Sequence, residues 1–239
     1  MPARDGHWQV WRQTGSVVSL FQGDLTSFMS SSAAKPAPAS SVSREQESPG
    51  QSQIYPTLAL PMRSRRLVIR DFVPGDLGAL HAYSERREVT KHLLWGPNSV
   101  EQSRATLAEF MTQQGANPRL RYDLALGLPG GKAIGAVSIH LDDIRLGNAE
   151  IGYVLHSDYW GGGFAFEAVQ ALTAHIFEHW PLNRVWARCL ESNKASRRLL
   201  ERLGMRHEGT LLRAERIEGE WHNVLMYALL ADEWLAGDR

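Results

Sequence analysis

The sequence predicts an α/β domain built on a mixed sheet of seven strands with helices packed on its faces. Two observations carry this. In the middle of the chain two strand-like runs flank Pro129-Gly-Gly-Lys132, which makes an antiparallel hairpin. Downstream, strand-like and helix-like periods alternate, as they do in parallel crossover units. The order along the chain is βααβββαβαββ, and no internal repeat is visible.

The first dense stretch, 66–72, reads Arg-Leu-Val-Ile-Arg-Asp-Phe and is a strand. Pro74-Gly-Asp76 then opens a helix reaching about residue 86, because proline suits a first helical turn and Leu77, Leu80 and Tyr83 recur on one face. Ser99-Val-Glu-Gln102 is a capping box, and the helix it starts carries Leu107, Phe110 and Met111 at helical spacing. The hairpin strands are 122–128 and 133–141, and 148–156 is the next strand. A helix over 163–179 stops before the turn at Pro181, and 184–190 is a strand. A helix over 194–203 ends on Gly204 as a left-handed cap. Strands 206–217 and 221–230 flank Glu218-Gly-Glu220 as a last hairpin.

Composition bounds the function. Lys plus Arg and Asp plus Glu are 26 each, so the formal net charge is zero, which argues against a nucleic-acid partner. Hydrophobic residues at 43% support a real core. Cys189 is the one cysteine, which excludes an internal disulfide and a cysteine-based zinc site. No apolar run approaches the roughly 18 residues of a membrane span, and the short run 17–21 between Asp5 and Asp24 makes a poor secretory signal. A cytoplasmic location is expected. Residues 1–53 read as a weakly ordered extension, with a Ser/Ala/Pro linker over 30–53 that has too little apolar area to offset chain entropy. The folded domain is expected over 54–239, and translation starting at Met62 rather than Met1 is an alternative.

The most informative segment is the strand at 148–156 running into Gly161, Gly162 and Gly163, where a helix begins. Glycines let a backbone approach a ligand and turn its N–H groups inward. The first helical turn adds unpaired N–H groups and the positive end of the dipole. Together they make a phosphate or pyrophosphate site, although a tight turn without a ligand has the same appearance. A dinucleotide fingerprint fits at Gly161 and Gly163 but fails at Phe166, with Glu191 at the end of the next strand. The Gly-Lys-Ser/Thr ending of an NTPase loop is missing.

The run Tyr159-Trp-Gly-Gly-Gly-Phe-Ala-Phe-Glu-Ala168 resembles the acetyl-CoA loop of the GNAT acetyltransferase superfamily, in the form usual for its ribosomal-protein N-terminal acetyltransferase (RimJ/RimL-like) branch. Asn193-Lys-Ala-Ser196 followed by Leu203-Gly-Met205, the strand at Arg66 and the strand from Trp221 extend the likeness over about 62–233. The resemblance implies a mostly antiparallel seven-stranded sheet with helices on both faces and a splay between the fourth and fifth strands. It implies acetyl-CoA as co-substrate and no metal. Pantetheine would lie along the backbone of Val154, Leu155 and His156, and the pyrophosphate on Gly161, Gly162, Gly163, Phe164 and Ala165. Trp160 stands where the superfamily has Gln or Arg, Asn193 would bond the pantetheine arm, and Ser196 would lie near the sulfur.

Acetyl transfer to an amine needs a neutral nucleophile, an oxyanion donor and support for the leaving thiolate. By resemblance, Glu150 is the expected base, with Glu191 second, and the N–H of Val154 or Leu155 serves the oxyanion. The tyrosine that usually acts as acid is replaced by Leu200, which leaves Ser196. Each carries a structural alternative: a salt bridge for Glu150, a helix cap for Ser196. The implied function is acetylation of a primary amine, a protein or peptide N-terminus by resemblance to the branch. A small amine acceptor and a non-catalytic acyl-CoA sensor are the rivals, and monomer or homodimer is left open.

Other residues invite weaker readings. His175 and His179 have zinc-like spacing without a third ligand. Lys194, Arg197, Arg198 and Arg202 form a basic stripe, either solvated or facing the 3′-phosphate of the coenzyme. Cys189 reads as a buried thiol, and Trp95 as core or acceptor mouth.

Overall fold

The computed structural model describes residues 57–141 and 146–237; the extension expected at 1–53, its linker and the expected domain start at 54 lie outside them. The strands are β1 (Met62–Arg63), β2 (Val68–Asp71), β3 (Arg121–Gly127), β4 (Ala133–His140), β5 (Asn148–Leu155), β6 (Arg184–Leu190), β7 (Arg206–Ile217) and β8 (Glu220–Leu230). The helices are α1 (Leu77–Ser84), α2 (Arg87–Thr90), α3 (Val100–Gln114), α4 (Phe164–His179), α5 (Lys194–Leu203) and α6 (Ala231–Ala236).

All eight strands form one sheet in the order β1-β2-β3-β4-β5-β6-β8-β7. Every neighbouring pair is antiparallel except β5 and β6. The expected seven strands become eight because β1, two residues long, extends the edge by pairing with β2; so short a strand has no period to read. The expected helix to residue 86 is instead a 3₁₀ turn at Pro74–Asp76, then α1, then the separate short α2.

Both faces of the sheet are covered, so β3 and β4 are buried nearly throughout. On one face α4 and α5 lay Val169, Leu172, Ile176, Leu200 and Leu203 against Leu124, Ile139, Ile151 and Val185. On the other, α1 and α3 bring Leu80, Tyr83, Leu107 and Phe110 against Phe72, Ala136 and Val154. Met111, expected beside Phe110, is exposed instead, and Ser103 and Thr106 complete the buried stripe with Leu107 and Phe110. The Ser99 capping box forms as expected: Gln102 N–H donates to the Ser99 hydroxyl (3.3 Å), and Ser99 N–H to the Gln102 side chain (2.7 Å). Gly204 closes α5 at φ 91°. The β7–β8 turn is a two-residue loop with φ 49° at Glu218 and 90° at Gly219, the handedness that matches strand twist. No helix among the described residues is long and apolar enough to cross a membrane.

A buried ion pair anchors the start of α1. Arg70 donates to both carboxylate oxygens of Asp76 (2.7 and 2.8 Å), and Val73 N–H donates to Asp76 as well (2.9 Å). Burial raises the Asp76 pKa, but the hydrogen bonds from Arg70 and Val73 outweigh it and hold the group below its ordinary value. The pair therefore stabilises the fold above the ordinary carboxylate range and loses that contribution as the pH falls through the depressed value. Asp76→Asn is expected to cost about 2 kcal/mol at neutral pH, and the gap from wild type should shrink below about pH 4. Denaturant melts of both proteins across pH measure this.

Candidate active site

The site is built where β5 and β6 part. Their parallel pairing covers Asn148↔Arg184, Ala149↔Val185 and Glu150↔Trp186 and no more. Beyond it, β6 remains paired with β8 to Leu190↔Val224, while β5 follows β4 to Gly135↔Leu155. The gap is the splay expected between the fourth and fifth strands, here β5 and β6. A cleft open to solvent occupies it, and side chains from both sheet faces line it, including Tyr153, Arg188, Cys189, Asn193, Ser196 and Glu215.

Strand alternation decides which backbone groups face the cleft. His156 N–H donates to Ile134 O (2.9 Å), so the backbone groups of His156 and Val154 point to β4. This corrects the expectation that Val154, Leu155 and His156 all offer backbone to a ligand: of the three, Leu155 turns toward the parted side, together with Tyr153. The Trp160 indole N–H donates to Leu155 O (2.9 Å), which leaves the Leu155 N–H as the amide at the strand end. The His156 ring shapes the turn that follows. It accepts from Asp158 N–H (3.2 Å), and burial lowers its pKa, which favours the neutral ring that can accept.

The glycine loop sits at the start of α4. Gly161 (φ 74°) and Gly163 (φ 77°) take left-handed conformations that L side chains rarely adopt. A Cβ on Gly162 would lie 3.0 Å from the Phe164 ring. Gly163 caps α4 without any side-chain bond to the first turn, which holds Phe164 and Ala165. Arg66 braces the loop from the other end of the sequence. It donates to Gly162 O (2.9 Å) and to Glu167 (2.7 Å), and its guanidinium lies 4.2 Å from the centre of the Phe164 ring. The brace neutralises Glu167, whose charge otherwise stands in the first turn. A backbone cradle at a helix N-terminus with an arginine beside it fits a pyrophosphate.

At α5, Asn193 is the N-cap: its side-chain oxygen accepts from Ser196 N–H (3.1 Å). The Ser196 hydroxyl meets the Tyr153 hydroxyl at 2.6 Å. Cys189 lies buried beside them, and burial pushes its thiol up to about 11, so it is a thiol at neutral pH.

Across the cleft, Glu150 is 9% exposed, and its carboxylate lies 3.3 Å from Arg188 Nε. Arg188 Nη1 also donates to Glu215 (3.1 Å). Two carboxylates thus share one guanidinium in a half-buried site. Glu191 is outside this group: it is exposed at the end of β6, where Asn223 Nδ2 donates to it (2.9 Å). Tyr153, Arg188 and Glu215 were missed by sequence reasoning. Alternation along β5 could have flagged Tyr153, because residues 151, 153 and 155 share the α5 face. Glu215 had no such signal. Two extra residues between Leu211 and Glu215, set against His222–Val224 of β8, turn its side chain inward, with Arg213 N–H donating to Asn223 (2.9 Å).

The other candidates stay apart from the cleft. His175 and His179 stack at 4.2 Å, and no group of three metal-ligating side chains occurs among the described residues. In the basic stripe Arg197 pairs with Glu201 (2.9 Å) and Arg202 lies over Phe166 (4.0 Å), while Lys194 and Arg198 are exposed.

A parted parallel pair with a glycine-rich helix N-terminus at its mouth is the arrangement that the family likeness implied. Comparison with known proteins agrees. The acetyltransferase (GNAT) domain family matches residues 66–206. The uncharacterized N-acetyltransferase p20 of Bacillus licheniformis is 32% identical over 172 residues, 72% of this chain and 96% of that protein. The ribosomal-protein-serine acetyltransferase of Escherichia coli strain K12 is 32% identical over 99 residues, 41% of this chain and 55% of that protein. A solved GNAT-family acetyltransferase from Bacillus anthracis superposes with a TM-score of 0.64 at 28% identity, covering 72% of this chain and 98% of that one. The chain belongs to the GNAT acetyltransferase family. It is an N-acetyltransferase that uses acetyl-CoA.

Gly135 tests the importance of the parted geometry. It lies opposite Leu155, and a methyl group there would run into the Val154 carbonyl and the Leu155 Cα, both backbone. Gly135→Ala is expected to cost about 1–3 kcal/mol and to weaken acetyl-CoA binding, because relief requires moving the end of β5. Melting curves and calorimetric titration with acetyl-CoA read the two effects.

Proposed function

We propose that this enzyme acetylates the N-terminal amine of a protein or peptide, by direct attack on acetyl-CoA held between β5 and β6. The observation that carries the reading is the loss of β5–β6 pairing after Glu150, which turns the end of β5 into an open edge beside the N-terminus of α5. Gly161, Gly162, Gly163, Phe164 and Ala165 hold the pyrophosphate on their backbone N–H groups, with Arg66 bracing the loop and cancelling the charge of Glu167. Pantetheine bonds the open edge at Tyr153 and Leu155, and the Asn193 amide. The Leu155 N–H faces the thioester oxygen and stabilises the oxyanion that develops there. Ser196 supports the leaving sulfur.

The amine arrives from the other face. Glu150 and Glu215 both pair with Arg188 at the wall of the cleft. A carboxylate there receives the ammonium and takes its proton, so that a lone pair is free to attack. Glu150 keeps the role of base, with Glu215 as its partner, and the exposed Glu191 has none. The rim is broad. The segment from α2 with His92 and Leu94 faces the β7–β8 hairpin with Trp221, and Arg87 bridges to Glu218 at the hairpin tip (2.7 Å). An extended peptide suits such a rim better than an enclosed small amine, and the relative named for a ribosomal-protein serine supports the same acceptor class.

A thiol-release assay with acetyl-CoA tests this against N-terminal peptides, spermidine, an aminoglycoside and free amino acids. Peptides are expected to lead by at least about tenfold in kcat/KM, which is about 1.4 kcal/mol. A small amine that outruns every peptide overturns the acceptor, and coenzyme binding without release on any acceptor overturns the catalytic reading. Glu150→Gln and Glu215→Gln should each lower kcat by about 10²–10⁴ and move the pH optimum upward, because the amine must then shed its proton without that carboxylate as base. Gly163→Glu should abolish coenzyme binding by placing a negative charge in the cradle.

A further inference from the structure

The cleft wall holds a short, half-buried hydrogen bond that the reading above leaves without a part in the reaction. Tyr153 sends its hydroxyl to Ser196 Oγ at 2.6 Å, with the Ser196 carbonyl as a more distant second contact at 3.3 Å. Both side chains line the cleft where Asn193 and Cys189 also meet it. We propose that Tyr153 is a positioning residue for the reaction, a fixed donor that aims the Ser196 hydroxyl proton at the coenzyme sulfur. The proposal rests on the reading of Ser196 as the group that supports the leaving thiolate.

Either hydroxyl could donate in this bond, and donor and acceptor counts favour Tyr153. A hydroxyl has one proton and two lone pairs. If Ser196 donates to Tyr153, the tyrosine proton has only the long contact to the helix carbonyl. If Tyr153 donates to Ser196 Oγ, the tyrosine is satisfied at short range, and the serine proton turns to the cleft, where the Cys189 sulfur competes for it with a bound thiolate. A thiolate there selects the second arrangement, because a hydrogen bond to a charged acceptor is about twice as strong as a neutral one. Donation into Oγ also polarises the serine O–H and strengthens it as a donor.

Tyr153 does not act as the acid itself. Burial pushes its phenol well above the ordinary value, against a smaller opposing effect of the Ser196 hydrogen bond, and the nearby Cys189 raises it further. A buried tyrosinate is costly, so the proton stays on Tyr153 and the donation is permanent. In the reaction the amine nitrogen bonds to the carbonyl carbon, the carbon–sulfur bond breaks, and its electron pair stays on sulfur. The amine proton goes to the Glu150–Glu215 pair. Ser196 keeps its own proton and shares it with the sulfur through a hydrogen bond. No other reactant is needed.

The test reads the sulfur directly and needs no acceptor. Free coenzyme A is bound to the full-length protein, and the ultraviolet absorbance of its thiolate is titrated against pH, with the unloaded protein subtracted to remove Cys189. Tyr153→Phe keeps the ring and removes one hydroxyl. It is expected to raise the midpoint of the bound thiol by about one pH unit. Ser196→Ala should raise it at least as far, and adding Tyr153→Phe to Ser196→Ala should change nothing more. Coenzyme affinity measured on the same samples checks that the variants keep the site. An unmoved midpoint in Tyr153→Phe, with Ser196→Ala shifted, overturns the role of Tyr153 and leaves that of Ser196. A Tyr153→Phe shift that persists without Ser196 also overturns it, since the effect then bypasses the serine. A Ser196→Ala midpoint equal to wild type overturns the reading of Ser196 and this proposal with it.

Discussion

The separation of β5 from β6 after three shared positions is the constraint on which the rest depends. β6 is committed over its whole length to β8, and β5 to β4. Each of the two strands keeps its antiparallel partner on its outer edge past the point where the inner edges separate. Unpaired backbone is costly when buried, and the protein meets part of that cost internally. The indole of Trp160 covers the Leu155 carbonyl, and an open cleft solvates the remainder. A ligand that offers its own amides in the gap replaces the lost ladder.

The same divergence sorts the chemistry onto two sides. Side chains on β5 alternate, so Glu150 and Val154 face α1 and α3, while Ile151, Tyr153 and Leu155 face α4 and α5. The first side carries the carboxylates of Glu150 and Glu215, which share Arg188. The second side carries hydroxyls, the N-terminus of α5 and, beyond the strand end, the glycine cradle with its arginine brace. One strand thus separates the carboxylates from the glycine loop. The sheet holds donor and acceptor apart except at the gap.

Much of this was legible in one dimension. The bounds of β6, α5 and β7 coincide with those read from periodicity, and the capping box at Ser99 and the left-handed Gly204 form as local chemistry requires. These are interactions between residues a few positions apart, which a linear reading can evaluate. The two-residue β1, the four-residue α2 and the six-residue α6 escaped because they are shorter than the period that would reveal them. Met111 was misplaced because helical spacing defines a stripe without saying where its edge lies.

By itself, then, the sequence determined the order of the longer elements, the glycine loop and the family likeness, since each resides in contiguous residues. Tertiary structure decided which groups meet in the gap. Glu215 reaches Arg188 from 27 positions away through a bulge that no local pattern encodes, and Tyr153 reaches Ser196 across 43. It also decided that the backbone of Leu155, and not of Val154 or His156, faces the opening, because strand register is set by pairing with β4. Register and long-range contact are properties of packed neighbours, and a chain read in order does not contain its neighbours.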